Sequence, residues 1–143
     1  MSDSPYLYLT ASQLQELHDA VVEEHGGTRT TRSCPGLDSC AEAPQNVAHL
    51  KGGDVFEQAS ACACSILRKS PFADGNRGTA LVAALVFLDI NGVMDHDYDE
   101  STLLQAMLYL AEGKMDRDLF AEFLREAVSG ITGTWQDESP DRS

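Results

Sequence analysis

A carboxylate, a glycine, a carboxamide and a guanidinium follow one another at Asp74-Gly75-Asn76-Arg77, with Gly78 next, just ahead of an apolar run. Backbone N–H groups at the start of a helix are unsatisfied, and the helix dipole favours an anion there. Gly75 takes positive φ without penalty, and asparagine tolerates that region better than most residues. Successive N–H groups in such a turn converge on one point and form a nest for phosphate or carboxylate. Gly75, Asn76, Arg77 and Gly78 are therefore the candidate phosphate-binding residues. Arg77 adds a charged fork able to grip the same group. Asp74 is a hard oxygen ligand suited to Mg²⁺ beside a phosphate. The plainer reading is a turn whose Asp and Asn only cap a helix.

The flanking pattern predicts helices. Thr10-Ala11-Ser12-Gln13 reads as a capping box. Leu14, Leu17 and Val21 follow at helical spacing, Val22 widens that face, and Gly26-Gly27 ends it. Residues 28–40 read as a loop rich in Thr, Arg, Ser, Pro and Gly. A short helix is expected over 38–43, stopped by Pro44, with 44–53 irregular. Asp54, with Glu57 three residues on, caps a long helix striped by Val55, Ala59, Cys62 and Ile66. Arg68 and Lys69 fall in its last turn, where cations suit the helix dipole.

Thr79 to Ile90 is apolar nearly all round but only twelve residues long, which predicts a buried central helix rather than a membrane span. Asn91-Gly92 stops it. An acidic loop is expected over 95–100, then helices marked by Leu103 to Leu110 and by Leu119 to Val128. From Ser129 the composition turns to Gly, Ser, Thr, Asp, Glu and Pro, and predicts a mobile tail that carries Trp135. The expected architecture is all-α: one bundle over 1–128 around the 79–90 helix, with a polar tail over 129–143.

The net charge of −13 repels nucleic-acid backbones and excludes DNA or RNA as a partner class. Its plain meaning is solubility, its sharper one attraction to a basic partner. Met1-Ser2-Asp3-Ser4-Pro5 has neither the basic region nor the apolar run of a secretory signal, so the expectation is a cytoplasmic protein with reduced thiols. Cys62 and Cys64 are two apart on a helix and point to different faces. Cys34 and Cys40 flank a Pro-Gly turn; they read as small buried thiols, with a zinc site as the minor alternative.

Ser70-Pro71-Phe72-Ala73-Asp74-Gly75-Asn76-Arg77-Gly78-Thr79-Ala80 resembles the Fic/Doc signature H-P-F-x-D-G-N-(K/G)-R-T-A. Tyr8-Leu9-Thr10, Leu17-His18-Asp19 and Glu24-His25-Gly26-Gly27 are similar to the opening of Doc-type members. Pro35-Gly36-Leu37, Ala43-Pro44-Gln45, the 84–88 run, Asn91-Gly92 and Leu110-Ala111-Glu112-Gly113 extend the resemblance over about residues 6–128. It implies a small all-α bundle and transfer of part of a nucleoside triphosphate, with Mg²⁺, to a protein hydroxyl. In Doc-type toxins the transferred group is the γ-phosphate, and an antitoxin partner silences them. By position, Asp74 would hold the metal, Gly75, Asn76 and Arg77 the phosphates, and Phe72 would anchor the loop.

Two positions depart from that pattern. Ser70 stands where the family has its histidine base, and Gly78 where it has the final arginine. A serine hydroxyl is no base at neutral pH, and losing general-base catalysis costs roughly 10²–10⁴ in rate. Losing the arginine weakens charge stabilisation in phosphoryl transfer. Arg77 projects about 100° round the helix from position 78. His18, His25, His49 and His96 read as surface or capping histidines, with His49 and His96 in loops able to face the cleft. Either could activate Ser70 as a nucleophile, which makes Ser70, His49 and His96 the catalytic candidates. Three readings stay open: a Doc-like protein that keeps an anion-binding loop without transfer, an enzyme with redirected chemistry, or a weak toxin kinase. The partners to expect are a phosphate-bearing ligand such as ATP, and an antitoxin-like or target protein, with no membrane.

Overall fold

The computed structural model describes residues 5–93 and 100–129. Along them run α1 Ala11–His25, α2 Cys34–Lys51, α3 Val55–Lys69, α4 Asn76–Ile90, α5 Glu100–Ala111 and α6 Arg117–Leu124, which one π-helical turn continues over Arg125–Ser129. The fold is all-α; among the described residues the only β pairing is a single antiparallel bridge, Thr31 to Phe72. His96, most of the expected acidic loop, and Trp135 with the rest of the tail beyond Ser129 lie outside the described residues.

Both expected capping boxes form. Thr10 accepts from the Gln13 N–H while the Gln13 side chain accepts from the Thr10 N–H. Asp54 accepts from the Phe56 and Glu57 N–H groups while Glu57 accepts from the Asp54 N–H. Each satisfies donors that a helix start leaves open. The other oxygen of Asp54 receives Arg125 at 2.8 Å, and that guanidinium lies over the Phe56 ring, so the start of α3 is tied to the end of α6.

α3 and α4 lie side by side at the centre. α2 and α6 pack on α3, and α1 and α5 on α4. α4 buries Ala80, Leu81, Ala83, Ala84, Phe87 and Leu88, as its all-round apolar sequence predicts. The middle of α3 is buried all round and mostly small (Ala59, Ser60, Ala61, Cys62, Ala63), which lets its neighbours approach closely. The extended segment before α1 closes over one end of this core. Asn91 accepts from the Leu7 N–H at 2.7 Å and donates to the Leu7 and Phe87 carbonyls, and Leu9 is buried beneath. No helix among the described residues is long and apolar enough to cross a membrane.

α2 corrects the expectation of a loop, a short helix and an irregular stretch. It is one helix of 18 residues with Pro44 inside it. Ser33 caps it by accepting from the Gly36 N–H, and Pro35 sits in its first turn, where a missing N–H costs nothing. Pro44 forfeits a bond to the Cys40 carbonyl, but its ring is buried on the stripe Leu37, Cys40, Pro44, Val47 against α3. Packing along that stripe carries the helix through the proline. His49 therefore lies on a helix, exposed, and not in a loop.

The thiols differ in kind. Cys40 and Cys62 are buried, whereas Cys34, expected to be buried, is exposed in the first turn of α2. Burial pushes the Cys62 thiol up to about 12, with the neighbouring Cys40 and Cys64 adding to it. Thiolate is the reacting form. With a disulfide reagent at pH 8, Cys34 is expected to react at once and Cys62 only on unfolding. Equal rates in the native protein would refute this burial pattern.

Candidate functional site

α3 ends at Ser70, whose backbone is left-handed at φ 41°, ψ 60°, unlike every other described residue except glycines. The Ser70 N–H donates to the Ile66 carbonyl at 2.9 Å, and its hydroxyl reaches only the Leu67 carbonyl, at 3.4 Å. The chain then turns through 71–75 into α4. The segment before α2 runs antiparallel to this loop: Arg32 and Ser33 N–H donate to the Pro71 carbonyl, and Ala73 N–H donates to the Thr30 carbonyl.

Phe72, the expected anchor, is fully buried. Asn76 clamps it from within the loop. Its side-chain oxygen accepts from the Phe72 N–H at 3.1 Å, and its side-chain nitrogen donates to the Phe72 carbonyl at 2.9 Å. The Asn76 side chain is thus committed to loop shape, and only its backbone N–H faces a ligand role.

Gly75 caps α4 in the left-handed region, φ 77°, and no side chain closes that helix start. Thr10, Ser33, Asp54 and Asp116 cap α1, α2, α3 and α6 with their side chains. The first-turn N–H groups of α4, at Asn76, Arg77 and Gly78, are left for an outside acceptor. α4 thus begins three residues earlier than the apolar run. Arg77 is exposed in that turn. Gly78 is half-buried, and a Cβ there would stand 3.1 Å from Val21 Cγ1 on α1.

Asp74 is exposed, and both its carboxylate oxygens accept from the Thr28 N–H, at 3.0 and 3.2 Å. Gly27 makes this approach possible: a Cβ there would fall 2.7 Å from Asp74 Oδ1, and its φ is +124°. A carboxylate offers about four lone-pair positions, so capacity for a cation remains. Among the described residues no cluster of three His, Cys, Asp or Glu could hold a metal. A metal at Asp74 would take its other ligands from water and phosphate, which is the usual habit of Mg²⁺.

The structure brings Ser70, Phe72, Asp74, Gly75, Asn76, Arg77 and Gly78 into one loop and helix start. It does not bring His49 there. The N-cap of α2, Ser33, touches the loop, and His49 lies sixteen residues further along that helix, about 24 Å away at 1.5 Å per residue. His25 is exposed at the end of α1.

His18, read from the sequence as a surface or capping residue, is fully buried beneath the loop. Its ring stacks on Phe72 with centroids 3.8 Å apart and planes 4° from parallel, and its Nε2 lies 2.8 Å from the Asp74 carbonyl oxygen. The spacing Leu14, His18, Val21, Val22 held the signal, because it puts His18 on the apolar stripe of α1. With Nε2 engaged and the ring sealed from solvent, His18 does not replace a base at position 70. A separate concavity of about 470 Å³ opens between α3, α5 and α6, lined by Cys64, Leu67, Arg68, Leu110, Met115 and Arg117 among others, and touches no loop residue from 70 to 78.

Half of the chain's ten lysines and arginines lie on the elements that meet at the loop: Arg29 and Arg32 before α2, Arg68 and Lys69 at the end of α3, and Arg77 at the start of α4. Arg29 pairs with Glu23 at 3.6 Å. Arg68 faces the separate concavity, so of these five Arg77 is the cation on the same helix turn as the open N–H groups.

Comparison with known proteins gives a consistent result. The model of the Fic/DOC family matches residues 8–88. "Protein kinase doc" of Escherichia phage P1 is 30% identical over 125 residues, covering 82% of this chain and 93% of that protein. "Toxin Doc" of Mycolicibacterium smegmatis is 33% identical over 114 residues, covering 76% and 86%.

Proposed function

The chain belongs to the Fic/DOC family, and on that premise we propose that it is a Doc-like protein whose loop binds a phosphate-bearing ligand, ATP with Mg²⁺ first among candidates, without ordinary group transfer. One observation carries the binding half: α4 opens at a left-handed glycine with no side-chain cap, next to Arg77 and Asp74. Backbone N–H groups from Asn76, Arg77 and Gly78 hold the anion, and the Arg77 guanidinium adds charge-assisted bonds. The residues fit Mg²⁺: Asp74 would hold it, and the ion would supply neutralisation of phosphate charge.

The second half rests on what positions 70 and 78 hold. Ser70 brings a hydroxyl where proton abstraction needs a base, and that hydroxyl bonds the Leu67 carbonyl rather than a described histidine. Gly78 brings no cation. A protein partner of antitoxin kind and a cytoplasmic setting accompany this reading through the family.

Titration calorimetry tests it. The protein is expected to bind Mg²⁺–ATP, and Asp74→Ala to weaken the Mg²⁺-dependent part at least about tenfold. This variant keeps the Asp74 main chain, and so isolates the carboxylate. Absence of heat with Mg²⁺–ATP, Mg²⁺–ADP and inorganic phosphate alike would sink the proposal.

A further inference from the structure

We propose that His18 is a positioning residue that aims the anion nest from beneath. The argument starts with the proton. The Asp74 carbonyl oxygen only accepts, so the 2.8 Å contact requires Nε2 to carry hydrogen. In the neutral ring Nδ1 is then a bare lone pair. It is buried with no hydrogen-bond partner, and the nearby Asp19 Oδ1 is itself an acceptor 4.0 Å away. An unpartnered buried acceptor carries a stability cost that a leucine at this place on the stripe would avoid. The ring's compensating contribution is what it does to the loop.

That contribution has two parts. The stack on Phe72 fixes the loop's anchor, and the Nε2–H bond fixes the main chain two residues further on. A trans peptide sets its C=O and N–H in opposite directions. Holding the Asp74 carbonyl toward α1 therefore turns the Gly75 N–H away from α1, to the side where the α4 helix start is open. Gly75 also leaves room for the ring: a Cβ there would come 3.4 Å from Nε2. The carboxylate of the same Asp74 hangs on Thr28, just past the end of α1. α1 and its exit thus hold one residue by both its main chain and its side chain.

The orientation claim stands apart from ligand binding; its consequence for affinity rests on the anion-binding reading above. Two variants separate donor from ring. His18→Phe keeps the stack and removes the donor. His18→Gln places an amide nitrogen about where Nε2 stands. In His18→Phe the Thr28 amide, which bonds the Asp74 carboxylate and not the changed atom, is expected to exchange with solvent at least about fivefold faster, while amides in the middle of α3 keep their rates. His18→Gln is expected to restore most of that protection. Unchanged Thr28 exchange in His18→Phe, or no recovery in His18→Gln, overturns the proposal.

A measurement on the unaltered protein covers the case in which a variant fails to fold. The ¹⁵N shifts of the His18 ring are expected to show hydrogen on Nε2; hydrogen on Nδ1 alone overturns the proposal. Titration with Mg²⁺–ATP completes the test, with His18→Phe expected about tenfold weaker and His18→Gln between the two. If the parent binds no Mg²⁺–ATP or phosphate while the exchange pattern holds, the anion reading falls and the positioning role is upheld.

Discussion

Phe72→Ala is expected to be among the most destabilising single changes in this chain. The ring is fully buried, lies in the main apolar core and stacks on His18. Phe→Ala at such a site costs about 3–5 kcal/mol, the sum of lost transfer free energy and a cavity. For a domain of this size that corresponds to a fall of about 10–20 °C in Tm. Phe72→Leu refills part of the volume and is expected to recover about half of the loss. The variants also differ in kind from a change elsewhere in the core, because the Asn76 clamp closes on the Phe72 backbone. Loop exchange rates are therefore expected to rise more than helix exchange rates. Thermal unfolding followed by circular dichroism is the measurement, and a Tm for Phe72→Ala within about 3 °C of the parent would show that the ring is no anchor.

The second large effect is a gain. Ser70→His with Gly78→Arg is expected to raise incorporation of label from ATP into the protein by at least about a hundredfold. The backbone accepts the first change: position 70 is left-handed, and histidine is among the residues enriched there. The second is tighter. A Cβ at 78 meets Val21 Cγ1 at 3.1 Å, so α1 must yield by a few tenths of an ångström. Replacing a helical glycine gains about 1 kcal/mol of propensity, which offsets part of that crowding. Adding Val21→Ala relieves the contact, so the triple variant is expected to outperform the double. No label in either, with ATP binding intact, would mean that positions 70 and 78 do not by themselves govern transfer.

What the sequence made legible was what is local. Thr10 with Gln13, and Asp54 with Glu57, are four-residue signals whose partners lie within one turn, and both boxes form. The apolar run before Asn91-Gly92 gave the buried helix and its end. Pro44 is a helix breaker set within an apolar stripe, and the stripe prevails. Leu37, Cys40, Pro44 and Val47 keep helical spacing straight through the proline, and burial against α3 outweighs one missing hydrogen bond. A helix broken at Pro44 predicts His49 in a loop able to face the cleft, whereas it rides the far end of α2.

At the site, residue types were legible and spatial partners were not. Gly75 and Asn76 announced a turn into a helix, but nothing in the sequence told that the Asn76 side chain would be used on Phe72 rather than on a ligand. His18 and Asp74 are 56 positions apart, and no periodicity links them. Gly78 was legible as a departure from the resemblance and not as a position whose Cβ would crowd Val21. The last two depend on how α1 crosses α4, which no local pattern encodes.

Ser70 has a consequence of an evolutionary kind. Its main chain turns the corner from α3 into the loop, yet its side chain makes one long contact, with the Leu67 carbonyl. The loop is held instead by Asn76, by the Pro71 and Ala73 main chain, and by α1. Most mutations are purged for what they do to folding. The left-handed backbone still bars β-branched side chains, but exchange among residues that tolerate it, such as serine, asparagine and histidine, largely escapes that filter. Among those, selection acting on chemistry distinguishes one occupant of position 70 from another, so the position can drift within that set wherever the transfer reaction has ceased to matter, while the scaffold around it persists.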